Sequence, residues 1–155
     1  MGSVVRALAV AIGTGLGSGF SPIAPGTAGS LVGVALYVPC AAGGLPAVAV
    51  AVALLLPIGV WAAGICGARY GAHDHGRIVI DEVVGQVLAL ATFPARPGWL
   101  LAGFLLFRLL DIVKPFPARW IDRSWRSGSG VMADDVVAGI YTNLALQGAR
   151  ILMVG

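Results

Sequence analysis

Apolar runs of membrane-helix length alternate along the chain with short breaks rich in Gly, Pro or charge. A helix needs roughly 17–25 apolar residues to cross the hydrocarbon core. Leu45 to Gly67 carries no charge and is the clearest transmembrane helix. Gly29 to Ala42 is short for a full span. Ile78 to Phe93 and Trp99 to Val113 predict a helical hairpin about Pro94–Gly98. Val131 to Val154 predicts a last helix, acidic near its start and otherwise apolar until Arg150. Val4 to Ile12 is too short to span and is expected in the interface or packed on the bundle. It also imitates a signal peptide, but everything downstream is membrane-like. The fold class expected is all-α: one domain over residues 1–155, a polytopic membrane bundle of about 4–5 embedded helices.

Composition agrees. Hydrophobic residues make up 58% and charged residues 11%, against about a quarter charged in ordinary soluble domains. Net charge is +3 with no Lys/Arg run, which excludes nucleic acid as a partner and suits anionic headgroups. Cys40 and Cys66 lie near the two ends of one apolar stretch. As a single helix it would hold them roughly 39 Å apart, beyond disulfide reach.

Charge in the loops sets the topology. Pro39–Pro46 has none and Pro94–Gly98 has only Arg96, whereas Arg69–Arg77 and Lys114–Gly130 hold Arg69, Arg77, Lys114, Arg119, Arg123 and Arg126. The positive-inside rule places those two loops in the cytoplasm. The Gly-rich segment Gly13–Gly26 falls on the same side. All seven acidic residues, Asp74, Asp81, Glu82, Asp111, Asp122, Asp134 and Asp135, then gather at that face. Carboxylates bordering hydrocarbon mark function or pairing.

Ion pairing with nearby arginines and lysine is one account of them, and the helix macrodipole favours acids at N-termini. Neither explains adjacent acids in two helices, because neighbouring carboxylates repel unless a cation lies between them. An oxygen-only set fits Mg²⁺, Ca²⁺ or Mn²⁺ rather than zinc. Asp81, Glu82, Asp111, Asp134 and Asp135 are the expected metal ligands. Arg108 and Lys114, with Arg77, are expected to clamp a phosphate. His73-Asp74-His75 has the wrong spacing for a zinc pair on a helix and is expected to supply a general acid or an interfacial turn. The Gly-rich segment lacks Gly-Lys-Ser/Thr and is no Walker loop. Its backbone could cradle an anion, with Ser21 and Thr27 beside it and Thr27 capping the next helix, or it could be a close-packing surface.

Four segments together resemble the bacterial phosphatidylglycerophosphatase A family: Gly-Ser-Gly-Phe-Ser-Pro-Ile-Ala-Pro-Gly-Thr-Ala-Gly-Ser (17–30), His-Asp-His-Gly-Arg-Ile-Val-Ile-Asp-Glu-Val-Val-Gly (73–85), Phe-Arg-Leu-Leu-Asp-Ile-Val-Lys-Pro-Phe-Pro (107–117) and Met-Ala-Asp-Asp-Val-Val-Ala-Gly (132–139). The resemblance implies Mg²⁺-dependent hydrolysis of phosphatidylglycerophosphate to phosphatidylglycerol and phosphate at the inner membrane. Ser127-Gly128-Ser129-Gly130 departs from the adjacent glycines the family leads one to expect. Water attack and a covalent phospho-aspartate both fit these residues. A transporter using intramembrane acids is the alternative, but its acids should lie near mid-span on broken helices. The CDP-alcohol phosphotransferase and Pro-Ser-Gly-His phosphatase motifs are absent.

Overall fold

The computed structural model describes residues 2–154, and among them every regular element is helical. In chain order these are α1 (Ser3–Gly13), a 3-10 turn (Ser18–Phe20), α2 (Pro25–Ala42), α3 (Gly44–Tyr70), α4 (Ile80–Leu90), α5 (Pro97–Val113), α6 (Ala118–Ser124) and α7 (Gly128–Val154). Three helices are long and apolar enough to cross a membrane: Pro25–Ala42, Gly44–Tyr70 and Gly128–Met153.

Local sequence explains most boundaries. Pro25 and Pro97 occupy the first turns of α2 and α5, where a missing N–H costs nothing. Gly44 at φ 70° reverses the chain between α2 and α3, a conformation glycine adopts without strain. That reversal makes the separate runs Gly29–Ala42 and Leu45–Gly67 a helical hairpin and rules out a single helix between the cysteines. They sit on antiparallel helices, and both are free thiols, with the Cys66 Sγ donating to the Ala9 carbonyl at 3.5 Å.

The hairpin expectation is corrected in one respect. α4 has only 11 residues, about 16 Å at 1.5 Å per residue, and is too short to span. It is the centre of the bundle instead, with nine of its residues buried and α2, α3, α5 and α7 packed around it. A short helix buried at both ends must satisfy its last carbonyls. Asn143 of α7 does this, donating from Nδ2 to Ala89 O at 3.0 Å and to Leu88 O at 3.5 Å. Its Oδ1 accepts from Thr92 Oγ1 at 3.2 Å and Gln147 Nε2 at 2.6 Å.

The bundle closes on α4 through missing side chains. A Cβ on Gly139 would come within 2.5 Å of Gly85 O, and one on Gly85 within 2.8 Å of Asp135 O. Gly29 and Gly33 of α2 meet Val79, Val83 and Gln86 equally closely. Small residues allow this approach between membrane helices, so part of the Gly-rich motif is a packing surface. Apolar clusters fill the rest, around Val83, Val84 and Met132 on one side and Tyr37, Val87 and Leu90 on another. Outside them α1 packs on α3 with Ala9 fully buried.

Candidate active site

The close crossing of α4 and α7 determines where the acids meet. Asp81 and Glu82 lie in the first turn of α4, and Asp135 faces them from α7. One ligand oxygen from each of Asp81, Glu82 and Asp135 lies within 4.8 Å of the others. Asp81 is 8% exposed and Asp135 2%. Asp81 Oδ1, Glu82 Oε2 and Asp135 Oδ2 are buried without a hydrogen-bond partner among the described residues. Buried polar atoms are nearly always satisfied, and an unpaired buried carboxylate is among the costliest groups to leave so. Three clustered carboxylates, each with an orphaned oxygen, fit a hard divalent cation. Donor set and orphaned atoms agree.

The other proposed ligands stand one step back. Asp111, in the last turn of α5, binds Arg108 Nη1 at 2.6 Å and is an electrostatic neighbour of Asp135. Asp134 is 5% exposed and accepts from Lys114 Nζ at 2.5 Å. α7 begins at Gly128, so Asp134 and Asp135 lie about two turns inside it rather than opening it. The macrodipole account therefore applies to Asp81 and Glu82 and not to this pair.

Arg108 reaches the cluster from α5. Its Nη1 also contacts Ser30 Oγ at 3.3 Å and lies 4.0 Å from Glu82 Oε1, while Nε has no partner. Gly26, in the first turn of α2, leaves room for this pair: a Cβ there would collide with Glu82 Oε1 and come within 3.0 Å of Arg108 Nη2. Unfilled guanidinium donors next to the positive end of α2 suit an anion.

Lys114 is a connector. Its Nζ binds Asp122 at 2.7 Å and Asp134 at 2.5 Å, so Asp122 pairs with this lysine and not with the neighbouring arginines. Burial works against the ammonium, but the hydrogen bonds to Asp122 and Asp134 outweigh it and raise its pKa, so it stays charged.

The remaining candidates lie outside the cluster of Asp81, Glu82 and Asp135. Asp74 is an electrostatic neighbour of Asp81 and Asp134, which brings the histidine loop close to the acids. His75 packs on Tyr70, with ring centroids 4.9 Å apart, and its Nδ1 accepts the Arg77 N–H at 3.2 Å. Exposed His73 lines a separate cavity with Gly67, Arg126 and Ser127. Arg77 lies over the rings of Phe20 and Tyr70, at 5.4 and 5.8 Å.

Part of the Gly-rich loop turns its amides inward. The N–H groups of residues 15–21 bond to carbonyls of residues 11–18, within α1 and the loop, because the chain curls back on itself through positive φ at Gly15, Leu16 and Gly17. Ser21 Oγ donates to Ile23 O at 2.8 Å. Ala24, not Thr27, is the α2 N-cap residue.

One residue escaped the sequence reading. Gln86, fully buried one turn below Glu82, has neither Oε1 nor Nε2 partnered. Its signal was a polar residue inside an apolar run.

A family model described as "Phosphatidylglycerophosphatase A" matches residues 11–150. The Escherichia coli (strain K12) protein of that name is 41% identical over 132 residues, covering 84% of this chain and 77% of the relative. The Haemophilus influenzae protein of the same name is 42% identical over 132 residues, covering 84% and 81%. A Bacteroides thetaiotaomicron protein named "Putative phosphatidylinositol-3-phosphatase" is 43% identical over 152 residues, covering 92% and 94%. No solved structure matches the chain.

Proposed function

The chain belongs to the phosphatidylglycerophosphatase A family, and from that premise we propose that it is a phosphoric monoester hydrolase removing the terminal phosphate of phosphatidylglycerophosphate. The products are phosphatidylglycerol and inorganic phosphate. The observation that carries the chemistry is the buried set Asp81, Glu82 and Asp135 with its three orphaned oxygens. These residues would hold Mg²⁺, which when bound neutralises phosphate oxygens and lowers the pKa of the attacking water.

The chain's own groups divide the remaining work. Arg108, fixed by Asp111 and Ser30 through Nη1, offers Nε and Nη2 to the phosphoryl oxygens and stabilises charge that develops on them. Lys114 holds Asp134 in place beside Asp135. Neutral His75 accepts the Arg77 N–H at Nδ1; protonated, it would release that contact and hand a proton to the leaving alkoxide, returning to the neutral form. Burial of the carboxylates keeps bulk water from competing for their ligand positions. The diacylglycerol part stays in the leaflet. Loop charge favours the inner membrane with the site on its cytoplasmic face. Acids at the first turn of α4 favour an interfacial enzyme over a transporter, whose acids would sit at mid-span.

The relative named for phosphatidylinositol 3-phosphate supports a second headgroup as a competitor. Phosphate release by the purified protein from phosphatidylglycerophosphate and from phosphatidylinositol 3-phosphate, compared by kcat/KM, tests the reading. Preference for the first is expected. No release from it by folded protein, with Mg²⁺ present, would refute the reading.

A further inference from the structure

Outside the carboxylate cluster, the α5–α6 corner combines charge and exposed aromatic surface. α5 ends at Val113, Lys114 turns the chain at φ 48°, and α6 lies across the corner. The groove between them is lined by Val113, Lys114, Phe116, Arg119, Trp120 and Arg123. Ala118 and Ile121 are the buried face of α6, so Arg119, Trp120 and Arg123 fall on the outer one. Phe116 is 78% and Trp120 53% exposed; such rings belong at headgroup depth.

The arginines of this groove have no acidic partner among the described residues, whose ion pairs use only Arg108 and Lys114 as cations. Arg119 donates from Nη2 to the Val113 carbonyl at 3.0 Å, one of the carbonyls α5 leaves unsatisfied at its end. That bond fixes the guanidinium at the rim and leaves its other donors open. At its inner end the groove reaches Lys114, whose Nζ is on Asp134. An apolar, aromatic-edged groove with two unpaired guanidiniums thus leads from the membrane surface to the buried acids.

We propose that this groove binds the substrate's second anion, the phosphodiester joining diacylglycerol to the glycerol headgroup, through Arg119 and Arg123. The inference rests on the reaction proposed above. A lipid phosphomonoester that also carries a diester presents two anionic groups separated by a glycerol. The carboxylate cluster and Arg108 take the first, and the paired arginines take the second bidentately. The acyl chains leave past Phe116 and Trp120. Lipid lacking the diester would forgo this contact, so the groove sets specificity.

Binding of the product reads the groove without turnover. Phosphatidylglycerol with brominated acyl chains, added at low mole fraction to the protein in maltoside micelles, should quench its tryptophan fluorescence. Brominated diacylglycerol, which lacks the diester, should not. Arg119→Ala/Arg123→Ala should weaken that quenching about tenfold, and Arg119→Lys/Arg123→Lys should recover part of it. In turnover assays phosphatidylglycerol should inhibit competitively, with an inhibition constant raised by the alanine pair while that of inorganic phosphate stays at the wild-type value. Equal quenching by both lipids, quenching indifferent to the substitutions, or non-competitive inhibition (a surface for bulk anionic lipid) would each overturn the proposal. Absence of turnover on phosphatidylglycerophosphate would refute the proposed reaction alone, because the quenching still reports on the groove.

Discussion

Gly139→Ala, a single methyl group added about 1 turn beyond Asp135, should weaken metal binding without unfolding the protein. Its Cβ would lie 2.5 Å from Gly85 O, whereas ordinary van der Waals contact begins at 3.4 Å. The carbonyl must therefore retreat by about 0.9 Å, the difference of those two distances. Gly85 O belongs to α4 backbone and cannot swing aside, so α4 and α7 must separate. Asp81 and Glu82 move with one helix and Asp135 with the other. Mg²⁺ holds its ligands at about 2.0–2.1 Å and tolerates little spread. A displacement approaching 1 Å at a catalytic constellation costs as much as ~10²-fold in rate. We expect the Mg²⁺ concentration for half-maximal phosphate release to rise at least about tenfold, equivalent to about 1.4 kcal/mol. Overpacking should also cost ~1–3 kcal/mol of stability, seen as a lower Tm in detergent. Gly148→Ala on the same helix is the control: its Cβ meets nothing within 4 Å, and exchanging Gly for Ala in a helix stabilises by up to ~1 kcal/mol. Wild-type Mg²⁺ dependence and Tm for Gly139→Ala would show that α4 and α7 absorb the methyl group without separating.

Other substitutions separate catalysis from structure. Asp81→Asn and Asp135→Asn should each reduce phosphate release by at least about 10²-fold, yet raise the Tm of chelator-treated protein, because each removes one of several crowded buried charges; a lowered Tm would count against mutual repulsion. Asn143→Leu leaves the Leu88 and Ala89 carbonyls, Thr92 and Gln147 short of partners. At ~1–3 kcal/mol for an unsatisfied buried group, thermal melting should show it among the most destabilising single changes in the bundle. His75→Ala should slow release from phosphatidylglycerophosphate by about 10²-fold but hardly affect p-nitrophenyl phosphate, whose leaving group needs no proton. Equal losses on both substrates would remove His75 from the acid role.

Much of this was legible in the chain because lipid imposes simple rules. Long uncharged runs such as Leu45–Gly67 can only be embedded helices, and seven acids confined to one side of the charge pattern had to lie at one end of the bundle. What escaped depends on tertiary approach. Gly128 and Gly130 read as loop residues by propensity, yet they lie in the first turn of α7, where a Cβ on either would collide with backbone, Val60 O and Trp125 O respectively. That early start is why Asp134 and Asp135 lie two turns inside the helix. The central burial of α4 was equally hidden, since a continuous apolar run looks the same whether it faces lipid or protein. The partners of Lys114 were hidden because sequence shows neighbours along the chain, and Asp122 and Asp134 arrive from α6 and α7.

On the reaction proposed above, Asp81, Glu82 and Asp135 gather to hold a divalent cation without which phosphate is not released. Protein stripped with EDTA and titrated with Mg²⁺, with phosphate release from phosphatidylglycerophosphate followed at each step, decides whether they do. We expect no release before Mg²⁺ is added and a saturable recovery as it binds. Full turnover in excess EDTA would show that the reaction needs no such cation.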